Sequence, residues 1–136
     1  MAALTAARST PLRETQQVES HPVKAATRIF PGALVCLDAT GFAVPGGVAT
    51  TLRPVGRAEA IADNTAGASG DIQVRVRRGV FRFANSAAGD LIARADVLGT
   101  AFIVDDQTVA KTNGGGTRSA AGTIRDVDAQ GVWVLF

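Results

Sequence analysis

The chain has 136 residues, with 14 Lys and Arg against 12 Asp and Glu, one Cys and one His. That length suits one folded domain with one core and is too short for two well-stabilised ones, while a net charge of +2 gives no general attraction to duplex nucleic acid. A lone Cys excludes an internal disulfide, no run approaches the ~20 apolar residues that span a bilayer, and no signal-peptide core is visible, so synthesis and folding in the cytoplasm is expected.

The apolar fraction of 46% is rich in Ala, and aromatics make up only 5%, so the core is expected to be thin and built from Val, Ile, Leu and Phe. Fifteen glycines, with repeated Thr, Val and Asp-x-x-Gly segments, favour short strands and turns over long helices.

Residues 1–29 are polar and poor in large side chains, and Pro11 and Pro22 interrupt any helix. They are expected to form an extended N-terminal arm, which at full stretch reaches roughly 95 Å. A single β domain is expected over 30–136, beginning at Phe30-Pro31-Gly32. Ala33 to Leu37 predicts a strand, Asp38-Ala39-Thr40-Gly41 a turn and Phe42 to Val44 the return strand. Val55 to Ile61 predicts a strand whose Gly56, Ala58 and Ala60 let another backbone or subunit approach closely, followed by a loop over 63–70.

From Asp71 to Phe83 the alternation changes phase. Ile72, Val74 and Val76 share one face, Gln73, Arg75 and Arg77 the other, and beyond Gly79 the apolar phase moves to Phe81 and Phe83. A bulge or tight bend at Arg78-Gly79 is therefore expected. Residues 84–99 read as an irregular connection with one helical turn near Arg94 to Leu98. Ala101 to Val104 is a strand, Asp105-Asp106-Gln107 a turn and Asn113 to Thr117 a loop. Thr123 to Val127, a second Asp-x-x-Gly turn at Asp128 to Gly131, and Val132 to Phe136 repeat the first hairpin's grammar. Apolar groups on both faces of the last strand suggest burial from two sides, as in a small barrel, a sandwich or an oligomer interface. The fold class is all-β: a small β-barrel or β-sandwich of short antiparallel strands.

Groups that do chemistry are sparse. The only histidine, His21, falls in the expected arm, and Cys36 sits in the apolar run ALVCL as a small buried hydrophobe. One Cys and one His fall short of a zinc set. Asp105-Asp106, even with Asp126 or Asp128, lacks a calcium-loop pattern, and the triple glycine after Lys111 lacks the Gly-Lys-Ser/Thr of a phosphate cradle. No cofactor, metal or catalytic activity is expected. Charge is unevenly distributed: residues 71–82 carry four basic side chains and one acidic, and residues 83–136 four and six. The arginine face of 71–83 is the one candidate nucleic-acid surface. Without stacking aromatics beside it, with Phe81 and Phe83 expected to face the core, it reads instead as a solvated or subunit-pairing face.

The succession HPVKAATRIFPGALVCLDATGFAVP, VGRAEAIADN, VRVRRGVFRFANS, AFIVDDQTVAKTNGGGTRSAAGTI and DVDAQGVWV resembles the capsid decoration, or cement, proteins of tailed bacteriophages, from about His21 to the C-terminus. The resemblance implies a β domain on the outside of a virion head, made in the host cytoplasm. Its partners would be the major capsid protein, reached through the N-terminal arm, and further copies of itself, with a homotrimer preferred; no membrane is implied. Expected contact residues are Val18, Val23, Ile29 and Phe30 as apolar anchors, and Arg28, Arg75, Arg77 and Arg78 as partners for acidic capsid or subunit surfaces. Another minor virion part, such as a head fibre base, or a single-strand-binding barrel are the competing expectations.

Overall fold

A computed structural model describes residues 17–136, which form an antiparallel β-sandwich. Its strands are β1 (Val18–Pro22), β2 (Thr27–Ile29), β3 (Leu34–Leu37), β4 (Ala43–Pro45), β5 (Arg53–Ala58), β6 (Ala62–Asn64), β7 (Gln73–Arg77), β8 (Val80–Phe83), β9 (Thr100–Ile103), β10 (Val109–Ala110), β11 (Ala120–Asp128) and β12 (Gly131–Leu135). One five-stranded sheet runs β1-β7-β5-β3-β4, a second runs β10-β9-β11-β12-β8, and β2 pairs with β6 as a ribbon. None closes into a barrel. Each large sheet curls until its ends meet at one parallel bridge, Val23 with Ala43 and Ala84 with Thr108. Among the described residues no helix is long and apolar enough to cross a membrane.

The expectation of one core gives way to two buried clusters. Leu34 and Cys36 join Phe83, Ile92, Ile103, Ile124, Val132 and Val134 between the two large sheets. Val35 points the other way and joins Val23, Ile29, Val55, Val74 and Val76 beneath the ribbon. The run Leu34-Val35-Cys36 is apolar without alternation because β3 is covered on both faces, the pattern otherwise typical of sheets sandwiched between layers.

Both Asp-x-x-Gly turns form as the sequence predicts. Asp38 Oδ1 accepts hydrogen bonds from Thr40 N and Oγ1 and from Phe42 N, while Gly41 turns with φ +89°. Asp128 Oδ1 accepts from Gln130 N and Gly131 N in the second. Gly56 is where two backbones meet: a Cβ there would stand 2.2 Å from the Arg77 carbonyl oxygen.

The phase change at Gly79 is sharper than a bulge. β7 ends at Arg77 in the first sheet and β8 begins at Val80 in the second, so the chain changes sheets at a residue with φ +150°. A corner of this kind is how strands pass between packed sheets. The predicted loop at 63–70 starts later than expected, since Ala62–Asn64 is β6, and the strand predicted over 55–61 stops at Ala58. Two single 3-10 turns, Ala88–Asp90 and Arg94–Asp96, occupy the irregular connection.

The expected arm is corrected most. Its first part, residues 1–16, lies outside the described residues. Residues 18–29 belong to the domain: β1 pairs with β7 along Val18 to Pro22, and β2 pairs with β6. Three apolar residues in a polar stretch suffice because Val23 and Ile29 are fully buried against strands far along the chain.

Candidate functional site

The expected contact residues divide into three groups. Val23 and Ile29 have no exposed surface, so they anchor the domain's own interior and not a partner. Arg28 and Phe30 lie at the ribbon. Val18, Arg75 and Arg77 come together on one face of the β1–β7 pair, where Val18 stands opposite Arg77 and Ser20 opposite Arg75, whereas Arg78, expected with them, reaches Glu19, which stands opposite Val76 on the other face.

This second surface is built from alternation and from one bridging carboxylate. Residues 73, 75 and 77 of β7 point away from Val74 and Val76, which are buried. Across the ladder Arg57 of β5 faces Arg77, a like-charge pair that destabilises a sheet unless it is neutralised. Glu59 neutralises it: Oε1 accepts from Arg57 Nη2 at 2.7 Å and from Arg77 Nε at 2.9 Å. These arginines, Arg57 foremost, hold the Glu59 carboxyl below its ordinary range. Arg78 Nε lies 3.1 Å from Glu19 Oε1, whose other oxygen is 3.0 Å from His21 Nε2. Arg75 has no carboxylate partner among the described residues.

The surface continues past the corner onto β8. Arg57 Cζ lies 4.4 Å from the centre of the Phe81 ring, and Arg82 Cζ lies 5.6 Å from that of Trp133. Trp133 is held by its Nε1 donating to Asp128 Oδ2 at 2.8 Å, and Arg82 also donates to Gln130. Arg57, Val80, Phe81, Arg82 and Trp133 line a shallow groove of about 460 Å³. Four arginines, 57, 75, 77 and 82, thus share one side of the molecule with Glu59, while Arg78 pairs with Glu19 on the other face of the sheet.

Sequence reasoning missed Arg57, Glu59 and Trp133 as parts of this surface, and it placed Phe81 in the core. Phe81 is half-buried: its ring touches Phe136, 6.5 Å centre to centre, and turns its other side to Arg57. The available signal was Trp133, which alternates out of phase with the buried Val132 and Val134.

At the ribbon, Phe30 is 54% and Ile61 59% exposed, flanking the last paired residues Ile29 and Ala62. Arg28 forks onto Asp63 Oδ2 through Nε at 3.1 Å and Nη2 at 2.8 Å. The Thr65 hydroxyl first, then Arg28, hold the Asp63 carboxyl down at about 2. Asp106 reaches this end through its carbonyl, which accepts from Leu34 N at 2.7 Å.

Nucleophile and base are kept apart. Cys36 is buried between the large sheets, where desolvation pushes its thiol up to about 12, and His21 lies opposite Val74 on the other face of its sheet. The arrangement offers charge, apolar area and exposed strand edges, which are the elements of macromolecular contact. Compared with protein-family models, with curated proteins and with solved structures, the chain matches none.

Proposed function

We propose that this protein is a capsid decoration protein that binds the outside of a phage head and braces the shell against the pressure of packaged DNA. The observation that carries the proposal is the convergence of Val18, Arg75 and Arg77 on one surface, extended by Arg57 and Arg82. Guanidinium groups seated beside aromatic and aliphatic side chains suit acidic protein surfaces, because they hydrogen-bond while shedding water at low cost. The sequence resemblance supplies the identity of the partner, the major capsid protein. The work done is mechanical: each bound copy adds contacts across a joint between capsomers, and weak contacts repeated over a lattice add up through multivalency.

The test uses expanded empty heads assembled from the major capsid protein of the same virus. The full chain is expected to co-sediment in copy numbers comparable with that protein and to raise the temperature at which heads rupture. The variant Arg75→Glu with Arg77→Glu is expected to lose most of the binding. Absence of saturable binding by the full chain overturns the proposal, and a few copies per head point to a fibre base or another minor component.

A second reading is favoured by the Arg57–Phe81 and Arg82–Trp133 pairs, which place cations beside half-buried rings, an arrangement single-strand binders also use. It requires an oligonucleotide shift that weakens steeply with salt and is lost in Trp133→Ala.

A further inference from the structure

Three asparagines stand in the chain, Asn64, Asn85 and Asn113, and only Asn113 is followed by glycine. The fold holds their amides differently. Asn64 is buried, and its Nδ2 donates to the carbonyls of Val23, Lys24 and Ala68. Asn85 is half-buried: its Nδ2 donates to Ile92 O at 2.8 Å, and its Oδ1 accepts from Ile92 N and from Ser86 N, the main-chain nitrogen next to it. Asn113 is exposed, and its Nδ2 meets no partner among the described residues. Its Oδ1 accepts from Gly116 N at 3.2 Å, which draws electron density away from Cγ.

We propose that Asn113 is a site of spontaneous covalent modification, at which the Gly114 amide nitrogen closes on the Asn113 side chain and converts it to aspartate and isoaspartate. The nucleophile is open. Among the described residues Gly114 N–H makes one bond, to Thr112 Oγ1 at 3.3 Å, which is long for a hydrogen bond, and no side chain at 114 shields it. On losing its proton to hydroxide, the Gly114 nitrogen bonds to Asn113 Cγ, the Cγ–Nδ2 bond breaks, and the departing nitrogen takes a proton from water and leaves as ammonia. Water then adds to either carbonyl carbon of the resulting succinimide and opens the ring. The net change is one water in and one ammonia out, with nothing oxidised or reduced.

The turn itself requires the residue that makes this chemistry easy. Gly114 has φ +64°, and a Cβ on it would stand 2.6 Å from Thr117 Oγ1 and 3.1 Å from Arg118 Nε. Conversion acts on the bonds that close the loop. Asn113 O accepts from Thr117 N at 2.9 Å and from Arg118 N at 3.0 Å; in an isoaspartyl link that carbonyl becomes a free carboxylate and the main chain gains a methylene. Next in sequence, Ser119 Oγ donates to Ala49 O and accepts from Leu52 N, tying the loop to the segment before β5. The modified loop carries an added negative charge and a looser tie.

The inference is independent of the shell proposal, since it is read on the free protein. The full chain is incubated at mildly alkaline pH in water labelled with heavy oxygen and followed by peptide mass spectrometry. Asn113 is expected to lose its amide and take up the solvent's oxygen, faster as pH rises, while Asn64 and Asn85 keep theirs. In urea, where Ile92 no longer holds it, Asn85 is expected to begin converting as well. In the separated isoaspartyl fraction, amide hydrogen exchange at Thr117 and Arg118 is expected to be faster than in the unconverted chain. Retention of the Asn113 amide by the native chain after the urea-treated chain has lost it, or conversion of Asn85 ahead of Asn113 in the native chain, overturns the inference. Unchanged exchange overturns its consequence for the loop.

Discussion

If β3 is covered on both faces, truncating neighbouring residues on opposite faces must cost stability in both directions. Leu34 and Val35 are each fully buried, Leu34 in the cluster between the large sheets and Val35 in the cluster under the ribbon. Leu34→Ala deletes three carbons, worth ~0.8 kcal/mol each in transfer, and leaves a partly collapsed cavity, for a total of about 3 kcal/mol. Val35→Ala deletes two, for a total of about 2 kcal/mol. The two side chains share no cluster but share a backbone, so the double variant is expected to lose about 5 kcal/mol, and a departure from the sum of the single losses measures the strain passed through β3. Urea unfolding followed by circular dichroism measures all three from the shift in midpoint at unchanged slope. An ordinary two-layer sandwich would leave one face of β3 tolerant. Val35→Ala costing less than about 0.5 kcal/mol while Leu34→Ala costs its full value would refute the three-layer reading.

Two further tests concern single groups. Lys24 and then the Thr40 hydroxyl hold the Asp38 carboxyl well below its ordinary range. Its contribution is complete above the unfolded-state value of about 4 and is lost as pH falls through the native one, so the wild type is expected to lose stability below about pH 4 more steeply than Asp38→Asn; parallel profiles in acid titration would contradict this. Cys36, buried and with its thiol pushed up to about 12, is expected to react with a thiol reagent at neutral pH only as the domain opens. Its labelling is therefore expected to be slow in buffer and fast in urea, and prompt native labelling would show that the space between the sheets admits solvent.

Local grammar was the readable part of this fold. The Asp38 and Asp128 turns, the strands they join and the switch at Gly79 depend on residues close in sequence, and each is where its signature lies. What depends on distant partners was not readable. Residues 18–29 look too polar to order themselves, and alone they are; β7 and β6, between 33 and 59 positions downstream, order them. The same limit applies to the arginines. Arg77 looked available for a partner until the pairing of β5 with β7 brought Glu59 and Arg57 beside it, leaving Arg75 as the arginine on β7 with no carboxylate partner among the described residues. ALVCL carried a signal of its own, since an unbroken apolar run marks a strand with no wet face, and β3 has none.

That strand also decides how the molecule fails. The two buried clusters share β3 as a wall, so one cannot melt through that strand and leave the other standing. Loss of β3 from its ladder strips Leu34 and Cys36 from one interior in the same event that strips Val35 from the other. The two clusters therefore form one cooperative unit, larger than either could make alone from a chain so poor in aromatics. A load applied to either sheet has no softer half of the domain in which to be relieved.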